Sequence, residues 1–190
     1  MKKCFLIFLS FITIVCLNVK AQDFGKKGVI ETGGTISFSS ITSVSDGETA
    51  DESTTIFSLQ PAIGYFIVDG FEIGLAPAFT SLSSGDNTTS MFGIFLAPAY
   101  NFNTGGKVYP FIEGRIGYNT VNTDDGQTDQ TLSGLSYGGR GGIKVQLGGS
   151  SLLNLGVEYM LITLNPEDWE GDRNGVNYLA VSAGWTVFFR

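Results

Sequence analysis

The chain has 190 residues, 43% hydrophobic and 13% aromatic but only 15% charged, which excludes a disordered polymer. Its 26 glycines exclude a helical bundle, since interior glycine costs a helix about 1 kcal/mol, and the lack of histidine excludes chemistry that needs an imidazole. An all-β fold is left.

Lys2 and Lys3 precede an apolar run from Cys4 to Leu17, and Val19-Lys20-Ala21 then offers small residues ahead of Gln22. That is the pattern of an export leader, and its apolar run falls short of the roughly 20 residues a spanning helix needs. We expect residues 1–21 to be a cleaved signal peptide and 22–190 to form one domain. Cys4 and Cys16 both lie in the leader, so the mature chain is expected to have neither a disulfide nor a thiolate metal site. Losing Lys2, Lys3 and Lys20 leaves 8 bases against 18 acids, a formal charge of −10. Such a surface argues against nucleic acid, whose binding rests on neutralising phosphates.

Eight segments alternate with the period of a strand, which sends successive side chains to opposite faces. The first, about 28–41, sets Ile30, Thr32, Ile36 and Phe38 against Glu31, Gly33 and Ser37. The second, about 55–68, sets Phe57, Leu59, Ile63, Tyr65 and Ile67 against Gln60, Gly64 and Phe66, and ends at the tight turn Asp69-Gly70. The third, about 71–82, carries Phe71, Ile73, Leu75 and Phe79 opposite Glu72 and Gly74. The fourth, about 91–102, carries Phe92, Ile94, Leu96 and Tyr100 opposite Gly93 and Phe95. In the fifth, about 108–121, Ile112, Ile116 and Tyr118 face away from Phe111, Glu113, Arg115 and Gly117. The sixth, about 133–147, opposes Leu135, Tyr137 and Ile143 to Gly138, Arg140 and Lys144. The seventh, about 151–163, opposes Leu155, Val157 and Tyr159 to Gly156 and Glu158, and the last runs to the terminus with Leu179, Val181, Trp185 and Phe189 opposite Gly184 and Phe188.

The connections alternate too. Asp69-Gly70, Asn103 to Lys107 and Gly148 to Ser150 are short, whereas about 42–54, 83–90, 122–132 and 164–176 are longer and polar. Short turns at one rim and long loops at the other predict an eight-stranded antiparallel up-and-down transmembrane β-barrel. Closing the sheet satisfies backbone groups that lipid cannot.

The apolar face of each segment lacks Asp, Glu, Lys and Arg, while the other collects Glu31, Glu72, Glu113, Arg115, Arg140, Lys144 and Glu158. We therefore expect lipid outside and a closed, polar, charge-paired lumen, since eight strands enclose a space that side chains just fill. Glycines on the charged face leave room for its long side chains. Tyr65, Phe71, Tyr100, Phe102 and Phe189 are expected as an aromatic girdle at the short-turn rim, with Phe38, Phe57, Phe79, Phe92, Tyr118 and Tyr137 nearer the other. Pro61, Pro77, Pro98 and Pro110 fall inside strands, where a missing donor suggests bulges or bends.

Leu59-Gln60-Pro61-Ala62-Ile63-Gly64-Tyr65-Phe66, the two-residue turn, Phe71-Glu72-Ile73-Gly74-Leu75 and the aromatic last strand together resemble the small outer-membrane β-barrels of OmpA/OmpX type. The resemblance covers essentially the whole mature chain, which departs from the usual ending by placing Arg190 after Phe189. It implies a Gram-negative outer membrane, chaperoned periplasmic transit and the barrel-insertion machinery.

Neither a catalytic residue nor a cofactor is expected. Glu113, Arg115 and Glu72 share a face, and an interior salt-bridge network explains them better than a carboxylate hydrolase. The four long connections carry twelve acids and one base, Arg173. Asp124, Asp125, Asp129, Asp168, Trp169 and Glu170 are the candidate loop contacts. The stretch from Asp124 to Asp129 is oxygen-rich but lacks EF-hand spacing, so an acidic rim bridged by divalent ions to lipopolysaccharide is preferred to a metal site. The leading function is a structural or surface-interaction protein. Its rivals are a narrow porin-like channel and, more remotely, a soluble ligand-carrying barrel.

Overall fold

The computed structural model describes residues 24–45, 48–84, 87–124, 129–164 and 175–190. The expected leader and the start of the barrel domain lie outside them. Eight antiparallel strands close into a barrel in sequence order: β1 (Ile30–Ser45), β2 (Glu48–Val68), β3 (Phe71–Ser84), β4 (Asn87–Asn101), β5 (Val108–Asp124), β6 (Asp129–Gln146), β7 (Ser151–Thr163) and β8 (Gly175–Phe189).

Closure is made by six facing pairs between β1 and β8, from Ile30↔Phe189 to Thr35↔Gly184. Beyond Thr35 and Gly184 the two strands pair only with β2 and β7. Ile36, Leu179 and Val181, the most exposed large apolar side chains at 69%, 72% and 84%, flank that splayed part of the seam.

The strands outrun the sequence pattern at the long-loop end. β1 and β2 pair as far as Ser45↔Glu48, β3 and β4 as far as Ser84↔Asn87, and β5 and β6 as far as Asp124↔Asp129. Most of what reads as loop at 42–54, 83–90 and 122–132 is therefore hairpin. Threonine explains the difference, because its branched Cβ favours a strand while its hydroxyl makes the composition look like loop.

The prolines produce no bulge. Among the described residues the register shifts at Thr42/Val44 and Phe66/Val68, away from the prolines. Instead the ladder skips without slipping: β2–β3 pairing passes from Leu59↔Phe79 to Ile63↔Leu75, which sets Pro61 opposite Pro77. Pairing of β4 and β5 likewise passes from Leu96↔Ile116 to Ala99↔Glu113, setting Pro98 opposite Gly114. Two prolines facing each other place both missing donors in one gap, while Pro61 keeps its partner Gly34 on the other side.

Glycines on the inner face serve two ends. A Cβ at Gly64 would collide with the Glu72 carboxylate, so this glycine makes room for a long side chain. At Gly33 a Cβ would collide with the Trp185 carbonyl and lie 2.6 Å from Thr186 Cα, so that glycine permits the close approach of β1 to β8. Gly33→Val is expected to prevent closure and abolish the migration difference between boiled and unboiled protein on a detergent gel. Gly148→Ala, whose added Cβ would meet only Ser151 Oγ at 3.4 Å, should keep it.

Candidate functional site in the lumen and at its rims

Strand parity turns seven charged side chains into the barrel, and six of them form two carboxylate-cation groups. Lys144 Nζ donates to Glu31 Oε2 at 2.5 Å and lies 3.6 Å from Glu72 Oε2. Thr186 Oγ1 donates to Glu31 Oε1 at 2.9 Å, and Asn101 Nδ2 to Glu72 Oε2 at 3.2 Å. In the second group Arg115 donates from Nε to Glu113 Oε1 at 2.6 Å, and from a terminal nitrogen to Glu158 Oε1 at 3.0 Å and Gln60 Oε1 at 3.3 Å. Lys144 on β6 thus holds acids from β1 and β3, and Arg115 on β5 holds Glu113 of its own strand and Glu158 of β7.

Arg140 stands apart. It faces Glu113 on β5 and Glu158 on β7 in the ladder, but Arg115 holds both. Its guanidinium sits 5.2 Å from the centre of the Phe111 ring, and its Nε and Nη2 find no hydrogen-bond acceptor in the protein. A cavity of about 50 Å³ lined by Arg140, Glu31, Glu72, Glu113 and Asn154 adjoins it, enough for a few waters.

Apolar layers lie on both sides of the ions, so the lumen is not polar throughout. Toward the short turns, Phe66, Tyr109, Leu152 and Phe188 surround Phe24, which precedes the first strand. Phe24 meets Phe66, Tyr109 and Phe188 edge-on at ring separations of 5.3, 4.8 and 5.3 Å, and Lys144 Nζ lies 5.2 Å from its ring centre. Toward the long loops, Ala76, Phe95, Ala97, Met160 and Ile162 pack together. Close by, Ser136 Oγ donates to Asn119 Oδ1, whose Nδ2 donates to the Thr163 carbonyl at 3.2 Å.

Two glycines let the chain fold back to seat Phe24: Gly25 and Gly28 have φ of 79° and 86°. The Lys27 N–H donates to Asp69 Oδ1 at 2.8 Å, Lys26 Nζ to Asp69 Oδ2 at 3.1 Å, and the Gly70 N–H to the Gly25 carbonyl at 2.7 Å. The Lys27 N–H, then Lys26, hold the Asp69 carboxyl below its ordinary value. Residues 24–29 are therefore a stopper tied to the β2–β3 turn.

On the outer face the large apolar side chains of the barrel wall, such as Ile112, Ile116, Leu155 and Val157, are exposed, and Tyr65, Tyr100 and Phe102 stand half exposed at the short-turn rim. Of the expected loop contacts, Asp124 and Asp129 end β5 and β6 as facing residues, so they belong to strands. Asp125, Asp168, Trp169 and Glu170 lie outside the described residues. Among the described residues no group of three or more acids is placed to hold a metal ion.

No protein-family model matches the sequence, and no curated protein matches it. Solved structures do. Neisserial surface protein A is 19% identical, with 84% of this chain and 95% of that one aligned at a TM-score of 0.58. The N-terminal β-barrel domain of Pseudomonas aeruginosa OprF is 12% identical, covering 86% and 98% at 0.57. Outer membrane protein OprG of the same organism is 16% identical, covering 87% and 97% at 0.55. The fold is that of the small outer-membrane β-barrels.

The stopper was hidden because Phe24 belongs to no alternating segment; its one sequence signal is an aromatic residue followed by Gly25 and Gly28. Arg115→Ala leaves Glu113 and Glu158 buried without their cation and should cost roughly 3–5 kcal/mol in urea unfolding from detergent. Unchanged unfolding would remove the pairing argument. Phe24→Ala should cost roughly 3–5 kcal/mol in the same assay. Because the folded Asp69 pKa is depressed below its usual 3.8, its clasp is complete above that value and is lost as pH falls through the lowered one. The protection of the Lys27 and Gly70 amides against hydrogen exchange, taken relative to the intrinsic rate at each pH, should fall over that acidic window and stay constant between about pH 5 and 7.

Proposed function

We propose that this chain is an integral barrel of a bacterial outer membrane, with a closed lumen that stabilises the wall and acidic loops that interact outside the cell. The observation that carries the reading is the sidedness of the strands. Leu155, Val157, Ile112 and Ile116 are 41–59% exposed on an apolar outer surface, while Glu31, Glu72, Arg115, Lys144 and Glu158 are buried at 4–7%. In water so continuous an apolar surface would drive association; in hydrocarbon it is the matched surface.

Closure is supported by the layers. The Phe24 cluster crosses the lumen below the ions, the Phe95–Met160 cluster lies above them, and the cavity between holds about 50 Å³. We assign the barrel a structural or surface-contact role. One of the similar structures is a surface protein of Neisseria, which supports the same placement here. The twelve loop acids suit divalent bridges to lipopolysaccharide phosphates, and a chain of this kind calls for periplasmic chaperones and insertion machinery on its way. Any further extracellular ligand is unidentified.

Leu155→Arg puts a charge on the outer face and should lower stability in bilayers by about 2–4 kcal/mol. A soluble ligand carrier would tolerate it. In planar bilayers the purified barrel should pass no steady current, and a stable open-channel conductance would overturn the closed lumen in favour of a channel.

A further inference from the structure

The bases of the chain sort by height. After the expected leader, Arg115, Arg140 and Lys144 lie in the lumen and Arg173 belongs to a long connection. The remaining four, Lys26, Lys27, Lys107 and Arg190, are all exposed at the short-turn rim. Asp69 is the acid described there, and both of its oxygens are engaged, by the Lys27 N–H and by Lys26. No hydrogen bond or ion pair among the described residues holds the Lys27 ammonium or the Arg190 guanidinium, although Arg190 is near enough to Asp69 to act on its charge.

These two cations lie close to the β1–β8 seam. Arg190 leans over the next turn of chain, its Nε 3.3 Å from where a Gly28 Cβ would stand, and Lys27 is the residue before that glycine. Just above them Ile30 pairs with both Tyr65 and Phe189, two members of the expected aromatic girdle. One residue of strand advances about 3.3 Å, so Arg190 follows Phe189 into the layer next to the girdle, where lipid headgroups begin.

We propose that the short-turn rim, through Lys27 and Arg190, is a binding surface for the phosphate groups of anionic phospholipids in the inner leaflet of the membrane that holds the barrel. The proposal rests on the outer-membrane reading. A guanidinium grips a phosphate with two parallel donors and an ammonium adds a mobile point charge. Lys26 is committed to Asp69, and Lys107 occupies the β4–β5 turn, so each extends the positive rim away from the pair at the seam. In the sequence the stretches that join strands at the opposite end hold twelve acids and one base, Arg173, so the two ends differ in sign and only one suits an anionic surface.

The test uses the full mature chain refolded in detergent micelles containing equal phosphatidylglycerol and phosphatidylcholine, with retained lipid counted by native mass spectrometry. Each cation near an anionic headgroup is worth roughly fivefold in partition at low salt. The wild-type barrel should retain phosphatidylglycerol over phosphatidylcholine by roughly 25-fold, and K27Q/R190Q should lose most of that preference. R173Q, which loses a cation from the other end, should keep the preference.

Equal lipid retention by wild type and K27Q/R190Q, equal loss in R173Q, or displacement of the lipid by soluble peptidoglycan fragments would each overturn the proposal. The single variants K27Q and R190Q carry the comparison if the double variant does not refold. A gel of the same samples before and after boiling separates the two readings. If no folded band forms with wild type the membrane barrel itself fails, whereas a folded band without lipid preference fails the rim alone.

Discussion

Everything in this molecule depends on the six residue pairs that join β1 to β8. A sheet of eight strands left open would present two unpaired edges to hydrocarbon, where each orphaned amide costs several kcal/mol. Closing the sheet removes that cost and creates an inside. The inside then has to be filled from eight strands at once, and the close backbone approach at Gly33 is what lets the first strand reach the last. The ions come second in this hierarchy: Arg115 and Lys144 each tie acids from separate strands, and they can do so only because the wall already encloses them.

The interior is organised as a stack, not a uniform polar tube. An aromatic layer built on Phe24 lies under the carboxylate-cation layer, and an apolar layer with Phe95 and Met160 lies over it. This sequence of layers makes electrostatic sense. Ion pairs gain from low dielectric only when every partner is held in place, and the apolar layers limit the water that would loosen them. The Phe24 and Phe111 rings also present their π faces near Lys144, which lets an aromatic layer border a charged one without a gap.

Much of this was legible in the sequence because a two-residue period has only two answers for each side chain. Once Leu155 and Val157 are taken as outward, Glu158 and Gly156 must be inward, and the structure buries Glu158 at 4%. What was not legible has physical causes. Thr42 and Thr123 extend hairpins because a branched residue is content in a strand despite a polar composition. Pro61 and Pro77 look like separate defects along the chain and become one shared gap only when the register sets them face to face. Phe24 is in no strand, so no periodicity points to it. Arg140, placed by parity among acids, finds those acids already held by Arg115 and rests on Phe111, a choice between competing donors that spacing alone does not settle.

The position of Phe24 ties the two ends of the polypeptide to each other. Its ring touches Phe188, near the end of the last strand, so Phe24 cannot take its final place until β8 has arrived. Synthesis and completion are thereby linked: a product cut short at its C-terminal side lacks the wall that receives this ring, and one trimmed at its N-terminal side lacks the cork. Either fragment would offer degradative enzymes an accessible hollow, whereas the intact molecule offers them none on that side.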